Sequence, residues 1–326
     1  GGVIGNVGGL ILSIRDALKK TLGLLYSFSP HVRRAVDSGL TVFTFHDVRD
    51  EPSEFASRYG LCVSNATFER QVRWIQENFE IVHPAAILAR EPLPNRAAII
   101  SFDDGYLGTF ENGLRILERL AAPSIVFLNM QPIIRGTALM SAVACFLEDS
   151  SQDFSAFCLR AGLKRPFHLS LSPDVFEAYQ HKYGAVNQKA VTEFQGEFTD
   201  LALVKKWDGK PLVCYGNHLY EHWNATALTA DQFQKEYQDN DNALSGLISK
   251  VNLFAFTNGR PNICFTAREL TLLKEMGAGK AFSTAGGVNK NKESFLQGRV
   301  ALCEADNDAT RLWFRIGRAL RLDGTM

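Results

Sequence analysis

The sequence predicts an α/β protein whose parallel strands close into a barrel. Two observations carry that expectation. Apolar runs of strand length alternate with capped, helix-patterned segments from about residue 37 onward, and such alternation implies parallel strands joined by crossover helices. At 326 residues the chain is long enough for a barrel to be favoured over an open sheet. Catalytic residues are then expected where the strands end.

Each element has its own signal. The chain opens on two glycines without a methionine, which reads as a processing product or an expression scar. Over 10–25 the apolar residues recur at helical spacing, with Arg15, Asp16, Lys19 and Lys20 opposite, so an amphipathic helix is expected. Packing on the rest of the chain accounts for such a helix; peripheral contact with a membrane is the sharper reading. "LTVFTFHDV" (40–48) reads as a buried strand, "TFERQVRWIQENF" (67–79) as a helix, and "AAIISF" (97–102) as a second buried strand. A helix over 110–120, a strand over 124–130, a helix from Thr229 with Gln232 as capping-box partner, and a strand over 251–256 follow. Thr266 with Glu269 opens another capped helix that stops at Gly277, before the short strand "KAFST". The expected division is a helical segment at 1–36 and a barrel domain at 37–326. Residues 131–208 break the rhythm with turn-rich, helix-prone sequence, and read as an insertion between core elements.

Composition narrows the function. Lysine plus arginine and aspartate plus glutamate number 35 each, so no net field draws nucleic acid or another polyanion. The six cysteines show no Cys-x-x-Cys spacing, which points to reduced, mostly buried thiols rather than a zinc ribbon or redox pair. No apolar run is long enough to span a bilayer.

Two stretches carry chemistry. "IISFDDGYLG" (99–108) places Asp103 and Asp104 at the end of an apolar run, where alternation along a strand points one side chain away from the other. "GNHLYEHWNATALT" (216–229) places His218 and His222 four apart, the spacing that sets both imidazoles on one face of a helical turn. Two histidines and one carboxylate make a three-ligand site with a position left for water, the open arrangement of catalytic zinc. The second aspartate is then free to take the proton of that water.

The first stretch, with the helix and strand after it, resembles the opening motif of the polysaccharide deacetylase family (NodB-like, carbohydrate esterase family four), and "GNHLYEH" resembles its second motif, Gly-x-His-x-x-x-His. The resemblance implies a distorted (β/α) barrel and metal-dependent removal of acetyl from an N-acetylated sugar. It implies Asp103 as general base and Asp104, His218 and His222 as ligands of a divalent metal, zinc first. "FAFTNG" keeps Phe254, Phe256 and Gly259 of a third motif but carries Thr257 and Asn258 in place of its Pro-Tyr, so the oxyanion donor is expected near Asn258. No histidine follows His222, although many members draw their acid from a late histidine. "FHDV" resembles the Tyr-His-Asp-Val of the circularly permuted branch, which implies His46 as the acid. Asp47 is expected to orient His46 and favour its charged form, and Arg299 to pair with Asp103 and keep it ionised. Tyr106 is placed among the residues that contact substrate. His31, His83, His168 and His181 are expected in surface or structural roles.

The implied function is a carbohydrate N-deacetylase acting on a bacterial glycan or its precursor. A lipid-linked or nucleotide-linked sugar, as in O-antigen or capsule synthesis, fits an insertion that narrows the cleft. The alternatives are a degenerate member that only binds carbohydrate, and a deacylase for an O-acetyl or formamido sugar. A cytoplasmic location, with membrane contact through 10–25, is preferred, and the periplasm stays open.

Overall fold

The computed structural model describes residues 3–89 and 92–322, with side chains described over 13–89 and 92–320. Helices α1 (Val3–Phe28) and α2 (Pro30–Ser38) precede the first strand. Ser29 caps α2 by accepting from the Val32 amide, and Pro30 stands where no backbone donor is needed.

The run at 40–48 is two strands rather than one. β1 (Leu40–Phe45) ends before His46, and β2 (Asp47–Val48) pairs with β3 (Cys62–Val63) in a separate ribbon. The Asp47 amide donates to Leu61 O, so the chain leaves the barrel at His46. After α3 (Glu54–Tyr59), helix α4 (Asn65–Asn78) starts two residues before the expected point because Ser64 accepts from the Thr67 amide. β4 (Glu80–Ile81) leads to β5 (Ala97–Asp104), a π-turn at Thr109–Gly113, α5 (Leu114–Arg119) and β6 (Ser124–Leu128).

Helices then occupy the stretch expected to be an insertion: α6 (Met130–Arg135), α7 (Met140–Ser150), α8 (Gln152–Arg160), α9 (Pro173–Tyr183), α10 (Gln188–Gln195) and α11 (Leu201–Trp207). Backbone bonds from Leu107 N to Glu197 O and from Thr199 N to Gly105 O pin this stretch to the loop after β5. β7 (Val213–Asn217) is too short and too polar at its end to show in the pattern. α12 (Ala230–Leu244) and α13 (Ala267–Glu275) carry the expected capping boxes, with β8 (Lys250–Ala255) between them and β9 (Lys280–Ser283) after. β10 (Val288–Asn289), β11 (Leu296–Gly298), β12 (Val300–Ala301) and α14 (Ala309–Leu322) finish the chain.

Parallel pairing runs β1–β5–β6–β7–β8–β9–β11. Closure comes from a change of partner. β11 pairs with β9, then β12 pairs with β1, and Arg299 is the residue between them. The result is a distorted (β/α) barrel. Inward-facing residues such as Val42, Ile99, Ile125, Phe127 and Phe282 fill it. Gly216 is required there, since a Cβ would lie 2.5 Å from the Phe127 ring. Asp103 shares the parity of Ala97 and Ile99, so it points inward at the mouth, and Asp104 has the opposite parity.

Candidate metal centre and active site

The C-terminal ends of the barrel strands deliver the candidate residues. Asp103 and Asp104 end β5, His46 follows β1, His218 follows β7, and Asn258 lies just past β8. Asp104 and Gly105 have φ of 75° and 116°, which turns the Asp104 side chain out of strand geometry at this point.

His218 and His222 do not sit on a helical turn as their spacing implies. They lie in an irregular loop in which Leu219 and His222 have φ of 64° and 67°. Such values cost bulky residues free energy and persist only where neighbours over-determine them. Here Asn129 Nδ2 donates to both His218 O and Leu219 O, Glu236 accepts from the Tyr220 and Glu221 amides, and Thr257 Oγ1 donates to Trp223 O. The loop is thereby set from three sides.

Asp104, His218 and His222 each offer one donor atom, and these atoms lie within 4.8 Å of one another. Asp104 Oδ1 is 3.4 Å from His218 Nε2 and 3.2 Å from His222 Nε2. The oxygen is nevertheless buried without hydrogen-bond geometry to either. His218 Nδ1 lies 2.8 Å from Ala255 O. A carbonyl only accepts, so Nδ1 carries a hydrogen, and Nε2 is the nitrogen that faces Asp104. An orphaned carboxylate oxygen beside two imidazole nitrogens fits a divalent cation.

Asp103 is held differently. Arg299 Nη1 and Nη2 donate to its two carboxylate oxygens at 2.6 and 2.8 Å, and Arg299 is itself buried, with further bonds to Thr44 Oγ1 and Ser283 O. Burial alone would raise the Asp103 carboxyl; the guanidinium of Arg299 and the imidazole of His218 outweigh it and hold the group below its usual range. Asp103 is therefore ionised and in reach of the cluster, with Oδ2 4.0 Å from His218 Nε2 and 4.0 Å from His46 Nε2.

Asp47 does not orient His46. Its carboxylate accepts from the Val48 amide at 3.0 Å, approaches Arg49 Nε at 3.5 Å and packs against Gly108, where a Cβ would lie 2.2 Å from Oδ1. Burial pushes Asp47 up to about 6. His46 is set instead by its backbone, whose carbonyl accepts from Thr109 Oγ1. Burial lowers its imidazole, opposed by Asp104 and Asp103, so the expected rise from Asp47 is absent.

The turn after β8 is compact. Asn258 and Gly259 both have positive φ, Thr284 Oγ1 donates to Asn258 O, and Asn258 Nδ2 is buried without a partner beside the cavity. Tyr106 departs from expectation: it is fully buried, its ring packs on Phe198 at 4.7 Å, and it belongs to the core rather than to the cavity wall.

No family model and no curated protein sequence matches the chain. Solved structures do. A Streptococcus pyogenes deacetylase, PplD, in complex with acetate superposes with a TM-score of 0.57 at 12% identity, over 85% of this chain and 98% of that one. A polysaccharide deacetylase from Bacillus cereus gives 0.56 at 14%, over 85% and 69%. A de-N-acetylase from Aggregatibacter actinomycetemcomitans gives 0.55 at 14%, over 84% and 99%. The chain has the polysaccharide deacetylase fold.

Within that deacetylase fold the mouth holds a cavity of about 240 Å³. Asp103, Asp104, His46, His218 and His222 line one side. The lining also draws on α3 and on the helices after β6, and includes Cys145, expected as a buried thiol, and His168, expected only in a surface or structural role.

Proposed function

We propose that this chain is a metal-dependent carbohydrate N-deacetylase of the circularly permuted branch. One observation carries the reading: a carboxylate kept ionised by a buried arginine stands beside a separate three-donor cluster at the barrel mouth. Asp104, His218 and His222 would hold the ion, and two imidazoles with one carboxylate make zinc the first choice. When bound, the metal would polarise the acyl carbonyl and lower the pKa of water. Asp103 takes the proton of the attacking water. The Asn258 turn offers donors to the oxygen that gains charge, through its backbone or its Nδ2. His46 hands a proton to the departing nitrogen, a role supported by its place on the cavity wall 4.0 Å from Asp103.

Acetate release from a panel of N-acetylated sugars tests the reading. His46→Ala is expected to cut that release by about 10²–10⁴, the usual worth of acid help, and to affect an aryl acetate ester far less because its leaving group needs no proton. Equal losses on amide and ester would remove His46 as the acid. Metal binding with no release from any sugar would favour the binding-only alternative. Release confined to O-acetyl or formamido sugars would favour the other deacylase reading.

The cavity supports a small substrate such as the sugar unit of a lipid-linked or nucleotide-linked precursor. All six cysteines are free thiols, which supports the cytoplasm. No described helix is long and apolar enough to cross a membrane. The reading also includes peripheral contact of α1 with an anionic bilayer. One face of α1 packs on α14, where Asp16 pairs with Arg311 at 3.2 Å and Gly23 meets Thr310. The outer face leaves Ile14, Leu18, Leu24, Leu25 and Phe28 exposed by 50–69%. At 100° per residue they span an arc of about 120°. Arg15 and Lys19, which make no ion pair among the described residues, follow on the same helix beside it. Anionic headgroups complement these cations. Flotation with phosphatidylglycerol-containing vesicles is expected to carry the protein, and Leu18→Glu with Leu25→Glu to abolish it. A dimer that the same changes break, or no flotation at all, would contradict bilayer contact.

A further inference from the structure

The cavity that holds the metal cluster is also lined by a polar chain. Tyr59, at the end of α3, donates from Oη to Cys145 Sγ on α7 at 3.2 Å. Cys145 Sγ lies 3.4 Å from Nδ1 of His168, which stands on a short turn at Phe167–Leu169. The rings of Tyr59 and His168 pack edge to face with centroids 6.2 Å apart. With its sulfur accepting from Tyr59, the thiol has one hydrogen to place, and His168 Nδ1 is the acceptor it meets. With the thiol as donor in that contact, Nδ1 accepts and the ring hydrogen stands on Nε2. Burial lowers the His168 imidazole and pushes the Cys145 thiol up to about 11, so both groups are uncharged near neutrality. Cys145 is thus no nucleophile.

We propose that His168 Nε2–H is a substrate-binding donor, held in one tautomer by Tyr59 and Cys145, that grips a hydroxyl or acyl oxygen of a single sugar ring seated against the metal cluster. The proposal rests on the reading of the site as one for an N-acyl sugar, and it names the subsite. His168 lines the cavity together with Phe55 and Leu61, so the wall offers a neutral donor beside apolar surface, as the mixed faces of a pyranose require. The cavity, about 240 Å³, lies below the roughly 300–1,000 Å³ of sites for drug-sized ligands and suits one ring rather than an oligosaccharide. A wall that hydrogen-bonds a hydroxyl also binds analogues that lack it less tightly, because that bond is then not made.

The test compares wild type, His168→Ala, His168→Asn and Cys145→Ala. Each is assayed with N-acetylglucosamine and its β-1,4-linked trimer for acetate release and, by calorimetry, for binding. For the single sugar, His168→Ala is expected to raise KM, or Kd where turnover is absent, by about tenfold with kcat within about twofold. His168→Asn, whose amide still donates, is expected to recover part of that loss, and Cys145→Ala to show a smaller rise. Thermal unfolding of each variant separates these effects from misfolding. Wild-type KM and Kd in a folded His168→Ala protein would overturn the subsite, as would a loss confined to kcat, tighter binding of the trimer, or no binding of either sugar. Acetate release with an unchanged KM would remove only this subsite. Binding that depends on His168 without release would remove only the deacetylase reading.

Discussion

Asp103→Asn is expected to reduce acetate release by about 10²–10⁴ while bound metal stays at the wild-type level. The side chain reaches the cluster without belonging to it: both oxygens are taken by Arg299, and His218 Nε2 lies 4.0 Å away. An amide of the same shape keeps the space filled and cannot accept a proton. It also weakens the pairing of a buried guanidinium, so the variant is expected to unfold at lower temperature. The assay therefore belongs well below that transition, with metal content measured on the same sample. Full activity with metal bound would show that another group is the base.

Arg299→Ala is expected to be among the most destabilising single changes in the chain, by about 3–5 kcal/mol, the usual loss when one partner of a buried ion pair is removed. Arg299 does two jobs at one place. It neutralises Asp103, and it sits where the closing segment passes from β9 to β1, bonding Ser283 O on one side and Thr44 Oγ1 on the other. Arg299→Lys restores the charge without the two-pronged geometry and is expected to recover only part of the loss. The pH dependence has a definite sign. Asp103 has a folded-state pKa below its ordinary 3.8, so the pair's contribution is present above that value and is lost as pH falls through the depressed one. The stability gap between wild type and Arg299→Ala, read from denaturant unfolding, is accordingly widest near neutrality and narrows in acid. A gap that widened in acid would contradict the pairing.

Much of the fold was legible because its signals are local. The apolar runs at 97–102 and 251–256 and the caps at Thr229 and Thr266 each announce one element, and their alternation implies the parallel barrel. The adjacency of Asp103 and Asp104 was also readable, since strand alternation alone separates them. What escaped depends on distant contacts. His218 and His222 converge through positive-φ turns held by Asn129 and Thr257, not through helical spacing. Asp47 turns away from His46 because β2 leaves the barrel to pair with β3. Tyr106 follows the Asp-Asp-Gly turn and has the look of a substrate contact, yet Phe198, some ninety residues on, covers it. His168 comes to the cavity from an irregular stretch with no period to read.

The central claim is that Asp104, His218 and His222 hold one divalent ion. Elemental analysis by mass spectrometry, paired with anomalous scattering from crystals soaked in zinc, tests it most directly. The expected result is one ion per chain between these three side chains, lost in His218→Ala and in Asp104→Ala and retained in Asp103→Asn. A wild-type protein that takes up no metal after zinc soaking, or an ion indifferent to those two substitutions, would contradict the account.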